Sequence, residues 1–222
     1  MNRYAGVMLA FLLGFCSEAI AATVTSAHAA PAATQSLDRI VAIVNKSVIT
    51  ESELDDEINK VKKQLASSHT ALPPEKVLDK DVLNHLIDKT LLMDLVKSAH
   101  IEVTEGDVTH AIDLVAKNNH LTAETLYKEV EKQGLTRNEY RDEIKKEIAI
   151  SRLEQQAVGG RITITPQEVD DFIKANEKQL DPQHKKEQAQ QILYGKKFET
   201  ALKEWITTLR GTAFINTDPD KK

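Results

Sequence analysis

The stretch from Thr136 to Val158 limits the possible folds of this chain more than any other. Thr136 followed three residues later by Glu139 is a capping box, in which hydroxyl and carboxylate satisfy backbone N–H groups at the open end of a helix. The pattern predicts a helix to about Val158, where Gly159-Gly160 offers a left-handed exit. Its apolar residues change side along the way. Tyr140, Ile144 and Ile148 step by four along one face. At about 100° per residue, Ile150, Leu153 and Ala157 lie on nearly the opposite face. Such a helix packs on one neighbour early and another late, and so spans a molecule instead of lying on one sheet. Arg161-Ile162-Thr163-Ile164 then alternates and is rich in β-branching, which predicts a short strand. Thr165-Pro166-Gln167-Glu168 opens the next helix, with Thr at the cap, Pro at the first helical position and Glu closing the box.

The N-terminus reads as an export signal. Arg3 supplies the positive start, and Ala5 to Phe15 an apolar run too short to span a bilayer. Ala19-Ile20-Ala21 and Ala27-His28-Ala29 are small-residue cleavage patterns; the second is favoured because it precedes the polar, Ala-Pro-rich leader. Phe15 before Cys16 makes a poor lipobox, so simple cleavage is expected. Residues 1–29 are thus assigned as signal peptide, 30–38 as leader, 39–215 as one domain and 216–222 as tail. The exported chain would carry no cysteine and would stand on its core without disulfides. Charged residues make up 28% of the chain, aromatics 5%, and the net charge is −5 with bases and acids interspersed, which is not a nucleic-acid binder's balance. No later stretch is apolar enough to span a membrane.

In chain order, Arg39–Val44 reads as a strand, Asn45-Lys46 as a turn and Ser47–Ile49 as a returning strand. Thr50 and Glu53 cap a helix to about Ala66, with Leu54, Ile58, Val61 and Leu65 on one stripe. The helix from Glu75 to about Ala99 is apolar on more than one face and belongs at the centre of a bundle. Thr104 caps a helix through Asn118, and Thr122 a shorter one ending at Gly134. After Thr165 a helix carrying Val169, Phe172 and Ile173 ends near Asp181. Pro182 is expected to start the last helix, whose stripe is Phe198, Leu202, Trp205 and Leu209, with a kink or weak point at Gly195. Thr212–Ile215 reads as a final strand. The terminal strands are too short to stand alone, so residues 182–215 are expected to pack back on the N-terminal hairpin and complete the domain that 39–181 begins.

The chain shows no constellation for catalysis. His100, His110 and His120 are ten apart, which suits no metal pattern, and His110 with Asp113 reads as a surface pair. Gly159-Gly160 reads as a helix stop, not a phosphate loop. There is no nucleophile elbow and no carboxylate in an apolar setting. Trp205 reads as core. No catalytic, metal or cofactor residue is assigned.

Four stretches nevertheless carry a likeness: RIVAIVNKSVITE at Arg39–Glu51, NNHLTAETL at Asn118–Leu126, Tyr140–Val169 with its RITITPQEV, and KKFETALKEWITTLRGTAFI at Lys196–Ile215. Together they span nearly the whole chain after the signal. In these the chain resembles the SurA family of periplasmic chaperones, in the parts outside their parvulin prolyl isomerase domains. The resemblance implies a mainly α, multi-helix, trigger-factor-like chaperone module with a small β-sheet made by the terminal strands. It also implies a periplasmic location, binding of unfolded outer-membrane proteins or other extended polypeptides, and no cofactor. The departure from the family is that Asp181-Pro182-Gln183 leads directly into the last helix, where an isomerase domain would need ~100 residues. Isomerase activity is therefore not expected. The alternatives are a dedicated assembly partner using the same fold and, behind it, an isomerase. Peptide-binding residues are not assigned: Phe172, Tyr127 and Leu121 are candidates for an exposed apolar surface, with core packing the competing expectation for each.

Overall fold

The capping boxes read from the sequence organise the observed helices. The computed structural model describes residues 38–67 and 70–218; the signal peptide, most of the leader and the end of the tail lie outside them. Two strands come first, β1 (Ile40–Val44) and β2 (Ser47–Thr50), followed by α1 (Glu51–Ser67), α2 (Glu75–Ser98), α3 (Glu105–Asn118), α4 (Ala123–Lys132), α5 (Arg137–Ala157), α6 (Pro166–Ala175), α7 (Lys185–Thr212) and β3 (Ile215–Asn216). Before α1, Glu53 donates its backbone N–H to Thr50 Oγ1 at 3.3 Å and returns a carboxylate oxygen to Thr50 N at 3.0 Å. Asp107 exchanges the same pair with Thr104 before α3. Thr122 Oγ1 accepts from Thr125 N before α4.

The described residues fall into two compact units, each built from separated stretches. One unit takes the chain up to Ile87, Ala111–Arg137 and the residues from Ile215 on. Its sheet runs β2-β1-β3, all antiparallel. Val44 pairs with Ser47 across a two-residue turn and with Ile215 on its other side. Asn45 takes φ 53° in that turn, a left-handed conformation that Asn tolerates better than most residues. The short C-terminal strand thus completes a sheet that the hairpin alone could not sustain. Beside it, Ile58, Leu78 and Val82 form a buried cluster joined by Leu54, Val61 and Leu86, so the α1 stripe meets the first half of α2. Arg137 ties α4 to the start of α5, forking onto Glu124 at 2.6 and 3.0 Å, reaching Glu131 at 2.9 Å and lying over the Tyr127 ring.

The other unit takes Asp88–His110 and Asn138–Phe214. Its core joins Leu92 and Val96 of α2 to Ala149, Ile150 and Leu153 of α5, with Trp205, Ile206 and Leu209 of α7 packed against them. The second apolar face of α5 is therefore the buried one. Arg210 bonds Asp88 at 2.5 Å, and Lys89 bonds Glu143 at 2.9 Å. Burial pushes the Glu143 carboxyl up, yet Lys89 and Lys146 outweigh it and bring it down to about 2.

Several local expectations are corrected. Residues 161–164 are not a strand: Gly159–Arg161 is a 3₁₀ turn and the chain beyond it is extended but unladdered, because no strand lies alongside. Gly159 and Gly160 do not exit left-handed, since Gly134 is the glycine with positive φ among the described residues. Gly159 is buried, and the end of the flexible Gln155 side chain lies over it, a contact that a Cβ would displace. The last helix starts at Lys185 and not Pro182, because the Asp181 carboxylate accepts from Gln183 N and meets His184 Nδ1, folding 181–184 into a turn. That helix then runs unbroken through Gly195 as far as Thr212, which moves the final strand to Ile215–Asn216. Two of the histidines have a structural role. His100 and His120 take φ 52° and 56° just past α2 and α3, and the next residues, Ile101 and Leu121, donate back to Val96 O and Ala116 O. These are Schellman stops with His where Gly is usual; Gly134 makes the third.

Leu153→Ala should cost ~2–5 kcal/mol by chemical denaturation, because its side chain is buried in the α2–α5–α7 cluster. Trp205→Ala should cost about 3 kcal/mol, the low end for a core tryptophan, because the ring is only part-buried.

Candidate functional site

Pro166 at the first turn of α6 disfavours the helical region for the residue before it. Thr165 accordingly takes φ −84°, ψ 151°, and its capping box with Glu168 locks the corner. Ile162, leaving the 3₁₀ turn, is also extended at φ −84°, ψ 120°. Between them the chain forms a short strap, residues 162–165, fastened to α7 by one lysine. Lys197 Nζ lies 2.7 Å from Thr163 O and 2.6 Å from Glu168 Oε1. That contact, with the Thr165 N–H, holds the Glu168 carboxyl down at about 2. On the α5 side, Gln155 Nε2 donates to the Tyr194 hydroxyl at 3.0 Å.

Two open clefts flank the strap along α7. One, of ≈420 Å³, is lined by Ile164, Gln190, Gln191 and Tyr194. The other, of ≈500 Å³, is lined by Arg161–Thr163 on the strap side and, on α7, by Lys196, Lys197, Thr200, Ala201 and Glu204. Ile164 thus sits by the earlier α7 residues and Arg161 by the later ones, so strap and helix run antiparallel. Tyr194 stacks with Phe198 at 6.0 Å, and Ile192 on the same helix is 41% exposed. Both clefts are shallow and wide open, and present apolar, amide and ammonium groups at the surface. Among the described residues no group of three His, Cys, Asp or Glu side chains is placed to hold a metal ion, and no helix is long and apolar enough to cross a membrane.

The three apolar candidates named from the sequence are all part-buried, and they are divided between the two units. Leu121 and Tyr127 belong to the unit containing the sheet, where Arg137 lies 5.0 Å from the Tyr127 ring centre. Phe172 belongs to the unit containing the strap, where Lys196 lies 5.1 Å from its ring centre. Ile164, Gln190, Gln191 and Tyr194 were not singled out as surface residues. Their signal was present but ambiguous: RITI alternates as a strand does, and a lone Tyr in a Lys- and Gln-rich helix suits core or surface equally well. Other large apolar side chains stand exposed elsewhere, among them Leu72, Val77 and Leu114 in the sheet unit and Phe214 at the end of the strap unit.

The described residues are mainly α-helical, with one small three-stranded sheet and open depressions beside α7. The fold is similar to a solved structure from work on two structurally related SurA-like chaperones of Campylobacter jejuni, the virulence factor PEB4 and the periplasmic protein Cj1289; the TM-score is 0.50 and the identity 11%, over 80% of this chain and 98% of that one. The chain belongs to the SurA N-terminal domain family, whose model matches residues 37–154. It is 43% identical over 140 residues to a Chaperone SurA from Legionella pneumophila strain Lens, covering 63% of this chain and 33% of that protein. It is 36% identical over 157 residues to a Chaperone SurA from Chromobacterium violaceum, covering 70% and 37%. The chain therefore spans about a third of the length of the curated relatives it matches.

One carboxylate in the strap unit is poorly placed for its charge. Burial, followed by the nearby Glu147, pushes Glu154 of α5 up to about 7. A raised acid pKa means that the folded state holds a proton which the unfolded state has released between pH 4.5 and about 7, so stability falls as pH rises through that window. Glu154→Gln should remove this slope and raise the melting temperature at pH 7.5 relative to wild type, as thermal unfolding across pH 4.5–8 will show.

Proposed function

We propose that this chain is a periplasmic, ATP-independent holdase that binds unfolded outer-membrane proteins in transit, without cofactor and without prolyl isomerase activity. Membership of the SurA N-terminal domain family carries the reading. The open clefts beside α7 support it, because a holdase needs apolar surface accessible to extended chains and charge around it to keep the complex soluble. Residues 176–184 alone connect α6 to α7, which leaves no inserted isomerase domain at that point. The export signal at 1–29 supports the periplasmic location; mass spectrometry of the protein from a periplasmic fraction should show cleavage after Ala29.

Equimolar protein should suppress aggregation of several unrelated unfolded outer-membrane barrels several-fold by light scattering with no nucleotide present. If scattering from all of them is unchanged, the dedicated-partner reading replaces this one. The same preparation should leave cis/trans exchange of a Pro-containing peptide at its uncatalysed rate.

Residues 39–215 act here as one chaperone domain, with 182–215 completing what 39–181 begins. Truncation after Asp181 strips Trp205, Ile206 and Leu209 from one buried cluster and β3 from the sheet. Burying each large apolar side chain is worth ~1.5–3 kcal/mol against a total of ~5–15 kcal/mol. The truncated protein should therefore melt at a clearly lower temperature and aggregate; an unchanged melting temperature with unchanged client binding would make the C-terminal segment an independent appendage.

A further inference from the structure

We draw no further inference here: the strongest candidate, the buried Glu57 carboxylate on α1 of the sheet unit, whose Oε2 meets Lys60 Nζ at 3.3 Å while Oε1 finds no hydrogen-bond partner among the described residues, carries nothing because nothing in the structure shows what group would reach that oxygen.

Discussion

The strap unit depends on burying one apolar seam. Leu92 and Val96 of α2 meet Ala149, Ile150 and Leu153 of α5, and α7 closes over them with Trp205, Ile206 and Leu209. No single helix here is stable by propensity alone, so the seam is what keeps all three in place. It also explains why α7 can afford so polar an outer surface. With its later residues anchored on the seam, its earlier ones, from Gln190 to Lys197, are free to face the strap and the two clefts. The ion pairs of this unit, Asp88 with Arg210 and Glu143 with Lys89, sit at its part-exposed margins and add orientation more than stability.

The strap is the place where local rules and tertiary context disagree. Its sequence has the alternation and β-branching of a strand, and its ends take strand dihedrals. What it lacks is a neighbour. Extended backbone without a ladder must leave donors and acceptors to water or to another chain. A lysine from α7 takes up one carbonyl and pins the segment by a Glu168 that is itself fixed by its capping role.

Electrostatics follow the same division between anchoring and exposure. Glu168, Asp107 and Glu143 each sit against a cation or a cap, and their carboxyls are drawn down to about 2. Their contribution is present at neutral pH and lost on acidification. Glu154 runs the other way, since it is part-buried with Glu147 near and is pushed up to about 7. Stability in this protein therefore declines on both sides of mildly acidic pH, for different residues and opposite physical reasons.

Much of the fold was legible in the residues themselves. Thr50-Glu53, Thr122 and Thr165-Glu168 mark helix starts, because a capping box is a contact between residues three apart and needs nothing from the rest of the chain. The strand–turn–strand opening and the stripe of α1 are local in the same way. The expected family was also legible, through motifs distributed along the chain. The sequence could not show that RITI would remain without a pairing strand, that Gly159 and Gly160 would follow α5 without a left-handed turn, or that His100 and His120 would occupy glycine's place after their helices. Nor could it show which face of α5 is buried, or that Ile164 and Tyr194 would meet across a cleft. Those outcomes depend on which elements come to lie beside one another, and sequence periodicity reports that a face is apolar without naming its neighbour. The sequence by itself determined the helix caps and most of the elements; only the tertiary structure decided that residues 161–164 would form no strand and which apolar faces found partners.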